Sequence, residues 1–392
     1  LDLHQRLPVA SSAEQLGVAP QHRRYLGRLL ERLAEESVLR QTGTDWEVCR
    51  VPARQDPEEL WKSLMVQFPA CEADLTVLGQ CGRHLAEVLR GACDPLQLIF
   101  PEGSLTTAEH MYQDSPFARA YNTLAEAALR SALERQPAGR AVRILEIGAG
   151  TGALTATVLP ALPADRTEYI STDISPLFLS HGQAKFRLYP FVQHRRLDIE
   201  RDPGEQGFGA HQFDVIIASH VLHATSDLRR TLRHIRQLMT PEGLLILLEG
   251  DGLCGHYDLV FGMSEGWWKF ADFDVRPTHP LLNHRQWTAL LAEAGFEEAV
   301  AVPAPENRTY GDWTRQIVVM ARGPHVEREI QPLDASRIKP ESPGTWLVFT
   351  DSGSTGPRLA KHLESLGERC VMVRPADTYG VEGPDRYGVD PA

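Results

Sequence analysis

Hydrophobic residues recur at helical spacing through the first third of the chain. Over residues 20–39, apolar side chains lie three or four positions apart with charged residues between them, which predicts an amphipathic helix. Asp56 and Pro57 supply an N-cap and a first-turn proline for a helix that runs toward Phe68. Further helices are predicted over residues 71–90 and 116–134. We therefore expect residues 1–135 to form a mostly helical N-terminal subdomain.

The pattern changes at Arg143, where short runs rich in β-branched residues alternate with helical stretches. This alternation is typical of a parallel sheet with crossover helices, and it predicts a core over residues 136–322. The predicted strands are residues 143–147, 168–173, 192–197, 213–218, 244–249, 297–302 and 316–321. The loop between the last two is too short for a helical crossover, so we expect the final strand to run antiparallel.

Residues 323–344 are rich in proline and charge without a sustained period, which predicts a linker. The patterns of a strand, a helix and a second strand follow at residues 346–350, 357–366 and 369–374. This β-α-β pattern predicts that residues 345–392 begin a separate unit. Its Gly353-x-x-Gly356 lacks a full dinucleotide fingerprint, so no nucleotide site is expected there.

The chain of 392 residues is acidic, with 52 Asp and Glu against 40 Lys and Arg, and its net charge is −12. This balance disfavours sequence-independent binding to nucleic acid phosphates. No apolar run approaches the roughly 18 residues of a membrane span, so neither nucleic acid nor membrane is an expected partner. The six cysteines lack metal-ligand spacing and are expected to be reduced thiols, with no metal site. A start at Leu1, without Met or a signal segment, predicts an excised piece of a longer cytoplasmic polypeptide.

A glycine-rich segment, LEIGAGTG at residues 145–152, joins a predicted strand to a predicted helix. Its glycines permit a tight turn that brings backbone N–H groups against a ligand, as nucleotide-binding loops do. The segment alone is ambiguous, because Gly148-x-Gly150-x-x-Ala153 also satisfies a relaxed dinucleotide fingerprint.

Three carboxylates distinguish the two classes of cofactor. Glu146, two positions before the first glycine, can hold the ammonium of an amino-acid moiety, a group that nicotinamide cofactors lack. Asp173 ends the second strand, where it can accept both ribose hydroxyls. Asp198 follows the third strand, where it can accept from an adenine amino group. No Tyr-x-x-x-Lys proton relay follows the glycines, which further disfavours a nicotinamide oxidoreductase.

These features resemble the class I S-adenosylmethionine-dependent methyltransferases over residues 143–322. The resemblance implies an α/β fold: a seven-stranded Rossmann-like class I methyltransferase core with an N-terminal mostly helical lid subdomain. It also implies S-adenosylmethionine as the cofactor. The cofactor-binding residues that it implies are Glu146, Gly148, Ala149, Gly150, Gly152, Asp173, Ile174, Asp198, Ile199 and Ser219.

Further motifs resemble the carbon methyltransferase domains of polyketide synthases. They are LIFPEG at 98–103, YQDSP at 112–116 with Asn122, VLHAT at 221–225, FG at 261–262 and GWW at 266–268. The resemblance implies a catalytic pair, His223 and Glu249. The substrate-pocket residues that it implies are Tyr112, Asn122, Phe261, Trp267 and Trp268.

The same resemblance implies partners. One is an acyl carrier protein bearing a phosphopantetheine-linked β-ketoacyl chain, and the others are adjacent polyketide synthase domains. Residues 345–375 resemble the first β-α-β of the structural subdomain of a polyketide synthase ketoreductase. One hypothesis is that the carrier protein docks on a patch of four arginines, Arg229, Arg230, Arg233 and Arg236. The favoured interpretation of these residues is a solvated helix face.

C-methylation of a β-ketoacyl thioester requires removal of an α-proton, whose acidity two flanking carbonyls raise, so a base of near-neutral pKa suffices. His223 follows the fourth strand and Glu249 ends the fifth, so we expect them to meet at the carboxyl edge of the sheet. Glu249 would fix the tautomer that leaves the other imidazole nitrogen free. His220 is the alternative base, although a structural role is favoured for it.

Two other functions remain open at this point. An O- or N-methyltransferase acting on a free small molecule would use the same cofactor site without needing a carrier-bound thioester. An inactive structural domain that organises its neighbours would not bind the cofactor, and the intact set of Glu146, Asp173, His223 and Glu249 disfavours it. The length of the acyl chain and the number of methyl groups added depend on the volume of the pocket.

Overall fold

The computed structural model describes residues 2–135, 139–303, 315–324, 344–350, 355–376 and 378–389. The chain divides into two compact units, Leu1–Val326 and Glu327–Ala392. Among the described residues, no helix has the length and apolar character needed to cross a bilayer. All six cysteines are described, and each is a free thiol.

The N-terminal part of the first unit is mostly helical, as the apolar spacing predicts. Its helices are α1 (Val9–Gln15), α2 (Arg23–Glu35), α3 (Pro57–Gln67), α4 (Glu72–Leu89), α5 (Leu96–Ile99), α6 (Thr106–Gln113) and α7 (Pro116–Glu134). Asp56 caps α3 as predicted, because its carboxylate accepts from the Glu58 N–H at 2.9 Å. Ser115 caps α7 by accepting from the Ala118 N–H at 3.3 Å. We refer to these helices as the lid.

The prediction of one helix over residues 20–39 is wrong in its last part, because α2 ends at Glu35. Ser37 adopts a left-handed φ of 58°, and the Val38 N–H donates to Leu33 O at 2.8 Å, which closes the helix. A small sheet that the sequence analysis did not predict follows. It has the order β1-β3-β2 and consists of β1 (Arg6–Pro8), β2 (Leu39–Thr42) and β3 (Asp45–Val48).

A seven-stranded sheet forms the centre of the first unit, in the order β6-β5-β4-β7-β8-β10-β9. Its strands are β4 (Val142–Ile147), β5 (Thr167–Asp173), β6 (Val192–Arg196), β7 (Phe213–Ser219), β8 (Met239–Gly250), β9 (Glu297–Val302) and β10 (Gln316–Arg322). β10 pairs antiparallel with both β8 and β9, whereas the other neighbouring strands are parallel. The predicted antiparallel final strand and the class I methyltransferase fold are therefore confirmed.

Alternate residues of the strands pack into two hydrophobic layers, one on each face of the sheet. Leu145 and Ile147 belong to one layer, and Val142 and Ile144, which alternate with them along β4, belong to the other. Helices that cross between strands cover both faces. They are α8 (Ala153–Val158), α9 (Pro176–Lys185), α10 (Leu228–Leu238), α11 (Gly255–Val260) and α12 (His284–Glu293). A third hydrophobic cluster joins the lid to α11, through Tyr25 and Val260 among others, and so fixes the lid above the sheet.

The second unit contains the expected strand-helix-strand pattern. Its elements are β11 (Thr345–Phe349), α13 (Thr355–Ser365), β12 (Arg369–Pro375), β13 (Gly380–Gly383) and β14 (Arg386–Val389), in a sheet of order β11-β12-β14-β13. β11 and β12 are parallel, as a β-α-β connection requires. Most of the predicted linker, residues 325–343, and Gly353 lie outside the described residues.

Candidate active site

A cavity of about 790 Å³ lies at the carboxyl ends of the parallel strands, under the lid. Open α/β sheets bind ligands at this edge because the loops that follow the strands meet there. The predicted site residues that line it are Tyr112, Asn122, Glu146, Gly148, Ala149, Gly150, Asp173, Ile174, Asp198, Ile199, Ser219, His223, Phe261 and Trp267. Three further predicted residues, Gly152, Glu249 and Trp268, do not belong to this lining.

The glycine-rich turn after β4 depends on backbone angles that favour glycine. Gly148, Gly150 and Gly152 have φ values of 66°, 54° and 74°. A Cβ atom on Gly148 would come within 2.5 Å of a Val221 methyl group, and one on Gly152 would come within 2.7 Å of the Phe186 ring. Gly152 therefore contributes to the shape of the turn, whereas Gly148 and Gly150 border the cavity.

Two aspartates at adjacent strand ends are held by backbone N–H groups. Asp173 Oδ2 accepts from the Gly150 N–H at 2.9 Å, and its Oδ1 accepts from the Ser175 N–H at 2.8 Å. Asp198 Oδ1 accepts from the Glu200 N–H at 3.0 Å. Burial raises the pKa of Asp173, although these backbone donors oppose the rise. Each carboxylate keeps lone pairs that a ligand hydroxyl or amino group can reach from the cavity.

Glu146 is a buried carboxylate at the end of β4, only 2% exposed. Its Oε2 accepts from the Thr155 hydroxyl at 2.7 Å, and burial raises its pKa to about 6. Among the described residues, no Lys, Arg or His forms an ion pair with it. The site thus combines a carboxylate that lacks a cation, two strand-end aspartates and a glycine turn. This donor set fits the ammonium, ribose and adenine groups of S-adenosylmethionine.

His223 and Glu249 meet across the ends of β7 and β8, where the strand order brings their loops together. His223 Nδ1 lies 2.6 Å from Glu249 Oε2, and Glu249 Oε1 accepts from the Leu222 N–H at 2.8 Å and the Val221 N–H at 3.2 Å. Glu249 is fully buried. Burial alone would raise its pKa, but the charge of His223 and its hydrogen bond hold the pKa of Glu249 below its ordinary value.

The sequence analysis missed a buried arginine that holds the loop of His223. Arg276 has no exposed surface, and its Nη1 and Nη2 donate to the carbonyl oxygens of His223 and Thr225, each at 2.8 Å. Its Nε donates to Asp272 Oδ1 at 2.7 Å, and Asp272 Oδ2 accepts from the Leu228 N–H at 2.9 Å. The clamp therefore fixes the backbone on both sides of the turn that carries the imidazole.

Aromatic side chains form the wall around His223. The Trp267 ring lies 5.2 Å from the imidazole in an edge-on arrangement, and Phe261 stacks beside Trp267 at 5.8 Å. Trp268 points elsewhere: its Nε1 donates to Gly262 O at 2.7 Å, and Arg24 lies over its ring at 5.2 Å. Trp268 thus packs with the lid and not in the cavity lining.

His220 and Asp74 are among the further ionisable residues that line the cavity. His220 has the left-handed φ of 55°, and burial lowers its pKa to about 4. Asp74 on α4, which the sequence analysis did not single out, has a pKa that burial raises to about 6. Tyr112 lies near His220, with 5.9 Å between the ring centres, and its main-chain oxygen accepts from the Asn122 side chain at 3.0 Å.

The arginines suggested as a carrier patch lie on α10, and most of them bind neighbouring groups of this chain. Arg229 forms ion pairs with Asp274 and Glu293, at 2.5 and 2.7 Å. Arg230 pairs with Glu200 at 3.5 Å. Arg236 donates to a main-chain oxygen of the α12 end at 2.7 Å. These contacts reduce the positive charge that α10 can offer to a partner.

Comparison with known sequences identifies relatives of this site. The chain matches the family described as "Methyltransferase domain" over residues 145–245. It is 31% identical over 380 residues to the polyketide synthase ThaG of Burkholderia thailandensis, an alignment that covers 94% of this chain and 6% of that protein. The chain spans 6% to 13% of the length of curated polyketide synthases that it matches.

Comparison with solved structures identifies the class of methyltransferase more closely. The CurJ carbon methyltransferase is 44% identical, with a TM-score of 0.78, over 83% of this chain and 86% of that one. The trans-methyltransferase CalH, solved in complex with SAH, is 26% identical with a TM-score of 0.62, over 80% of this chain and 87% of that one. Methylation of oxygen or nitrogen on a free small molecule is not supported. The chain belongs to the carbon methyltransferase domains of polyketide synthases, an S-adenosylmethionine-dependent family.

Proposed function

We propose that this chain methylates the α-carbon of a β-ketoacyl thioester held on the phosphopantetheine arm of an acyl carrier protein, with His223 as general base. The observation that carries the proposal is the 2.6 Å contact between His223, on the cavity wall, and the fully buried carboxylate of Glu249. A histidine fixed by a carboxylate is suited to take a proton from carbon near neutral pH.

The direction of the hydrogen bond decides which nitrogen acts. His223 Nδ1–H donates to Glu249 Oε2, so Nε2 is the nitrogen with a lone pair to accept the α-proton. The Glu249 carboxylate then stabilises the imidazolium that forms. Glu249 itself is held by two backbone N–H groups, and Arg276 holds the His223 main chain, so neither partner has to reorganise during the step.

The cofactor site is proposed residue by residue. Glu146 would hold the ammonium of S-adenosylmethionine, Asp173 the ribose hydroxyls and Asp198 the adenine amino group, beside the backbone of Gly148 and Gly150. When bound, the cofactor supplies a sulfonium methyl group to the α-carbon, and the electron pair of the broken C–S bond stays on sulfur. The chain contributes in-line positioning and the base, because a sulfonium is already a good leaving group.

The acyl substrate is proposed to lie against Phe261 and Trp267. Both rings line the cavity next to His223, and apolar walls of this kind exclude water from an enolate. A carrier-bound thioester is favoured as substrate because the curated relatives are polyketide synthases, of which this chain spans a small part. Arg229 and Arg230 on α10 pair with acidic side chains of this chain, so we do not place the carrier-protein docking surface on them.

Proton exchange tests the base directly. An acyl carrier protein loaded with an acetoacetyl group is incubated with the chain in deuterated water without cofactor, and deuterium at the α-carbon is followed by intact mass. The wild type should catalyse the exchange, and His223→Ala should lose it, because the imidazole acts on the α-proton. Calorimetry should find the affinity for S-adenosylmethionine nearly unchanged in His223→Ala.

His284→Ala is the matched control for the loss of a histidine that contacts a buried carboxylate. His284 also contacts a buried carboxylate, with Nδ1 3.2 Å from Asp251 Oδ1, but it does not line the cavity. His284→Ala should exchange the proton at the wild-type rate. If His223→Ala still exchanged it at that rate, another residue would be the base, with His220 the first suspect. If the wild type catalysed neither exchange nor methylation of the loaded carrier protein, the proposed substrate would be wrong.

We further propose that residues 345–392 belong to a neighbouring unit, the structural subdomain of a ketoreductase. The support is the β-α-β unit of β11, α13 and β12 and the division of the chain near Val326. A chain truncated after Gly323 retains every strand of the large sheet, so it should methylate at the rate of the full chain. Loss of turnover in a truncated protein that still binds cofactor would assign the second unit to the catalytic domain.

A further inference from the structure

A second histidine borders the same cavity and is not used by the proposed reaction. His220 follows β7 directly, and its ring centre lies 5.9 Å from that of Tyr112 and 6.5 Å from that of Tyr257. Its backbone has a φ of 55°, a left-handed conformation that is strained for a residue other than glycine. Its N–H donates to Leu248 O at 2.8 Å, which holds this conformation against β8.

The surroundings of His220 differ from those of His223. Glu249 already contacts His223 Nδ1 and two backbone N–H groups, and the structure gives His220 no direct hydrogen bond to it. Burial lowers the pKa of His220 to about 4. The charge of Glu249 and the neighbouring Gln316 side chain oppose the fall, and the charge of His223 adds to it.

Tyr112 and Tyr257, whose rings neighbour that of His220, keep their hydroxyl protons because burial raises the pKa of both. His220 is therefore a neutral imidazole near pH 7. Gln316 Oε1 accepts no hydrogen bond from the described residues, so the one N–H of His220 is available to a ligand.

We propose that His220 donates a hydrogen bond to the enolate oxygen that forms when His223 removes the α-proton. The inference rests on the proposed function and deepens it. In the step, the α-C–H electron pair moves into the C–C bond, the carbonyl π pair moves onto oxygen, and the proton goes to His223 Nε2. The N–H of His220 stabilises the new negative charge without transferring its own proton.

A donor role explains the neutral state and the position together. A neutral imidazole can stabilise a developing oxyanion without losing a proton, whereas a histidine of pKa about 4 is a weak base. A residue kept for packing alone would not need the left-handed backbone, which glycine or asparagine adopts at lower cost. A side chain that acts in the cavity explains why a strained backbone is kept at this position.

Variants at this one position separate backbone from side chain. His220→Gly relieves the backbone and removes the donor. His220→Asn places an amide N–H near the former Nδ1, and His220→Gln places one near the former Nε2. We expect His220→Gly to slow α-proton exchange on the acetoacetyl carrier protein by about 10² to 10³, the usual cost of one oxyanion donor. One of the two amide variants should restore the rate to within about tenfold of wild type, which identifies the donating nitrogen.

The outcomes distinguish this inference from the proposed function. Affinity for S-adenosylmethionine, measured by calorimetry, should stay within about twofold in all three variants, because the donor acts on the acyl group. Exchange by His220→Gly at the wild-type rate would overturn the donor role while leaving His223 as base. Failure of both amide variants to exceed His220→Gly would also overturn it. A wild type that exchanges no proton would instead refute the proposed function.

Discussion

Two buried glutamates at the ends of parallel strands have pKa values that move in opposite directions. Glu146 on β4 is 2% exposed, and burial raises its pKa to about 6. Glu249 on β8 is fully buried, yet its pKa lies below the ordinary value, because His223 offsets the effect of burial. Both side chains belong to the same sheet edge and have the same chemistry. The difference comes from the partner: the chain places the His223 imidazole against Glu249, whereas among the described residues no Lys, Arg or His contacts Glu146.

This difference assigns the two residues to different kinds of task. A carboxylate whose imidazole partner is built into the chain is ready to orient a base before any ligand arrives. A carboxylate that is buried without a cation destabilises the unliganded site and gains when a ligand brings positive charge. Glu249 therefore belongs with catalysis and Glu146 with binding. Replacing each glutamate with glutamine tests this assignment, because glutamine keeps the shape of the side chain and removes its charge.

The largest effect is expected from Glu249→Gln. The amide cannot stabilise the imidazolium of His223, so methylation and α-proton exchange should both fall by about 10² to 10³, the scale of acid-base contributions. Combining Glu249→Gln with His223→Ala should add little to His223→Ala alone, because the two residues act as a unit. Affinity for the cofactor should not change. A normal exchange rate in Glu249→Gln, measured by deuterium incorporation, would remove this residue from the catalytic pair.

Asp173→Ala should have the next largest effect, and on binding only. Each charge-assisted hydrogen bond to ribose is worth about 1.5 to 3 kcal/mol, so the affinity for S-adenosylmethionine should fall at least tenfold in calorimetry. Asp202→Ala is the matched control, because its Oδ1 accepts from the N–H two residues ahead at 2.7 Å, as Asp173 Oδ1 does, but outside the cavity lining. Undiminished binding by Asp173→Ala would exclude Asp173 from the site.

Glu146→Gln should weaken binding by about tenfold, the value of one charge-assisted contact. The loss is smaller than for Asp173→Ala, because only one interaction changes and the amide oxygen can still accept from Thr155. Proton exchange by His223, which needs no cofactor, should keep its wild-type rate. Glu146→Gln should therefore differ from Glu249→Gln in both cofactor affinity and the rate of proton exchange. Equal loss of exchange in the two would contradict the division between binding and catalysis.

The order of strands along the chain made the residues at the strand ends predictable. Contacts between segments far apart in the sequence could not be predicted in this way. Glu146 and Glu249 end apolar runs, so the parallel sheet places both at one edge. Arg276 reaches the His223 loop from more than fifty residues away, and no motif marks it. Trp267 and Trp268 are neighbours in a short 3-10 turn, where successive side chains point about 120° apart, so only one can face the cavity.

The smallest effect is a pH dependence that the pKa of Glu146 predicts. With a pKa of about 6, the unliganded carboxylate is ionised at pH 8, and about three quarters of it is protonated at pH 5.5. Only the ionised form attracts an ammonium, so affinity for S-adenosylmethionine should fall about fourfold between these pH values. Asp74 lines the same cavity, and burial raises its pKa to about 6 as well. Calorimetry at both pH values should therefore find the fall abolished in Glu146→Gln and retained in Asp74→Asn, whereas the reverse result would assign the ammonium to Asp74.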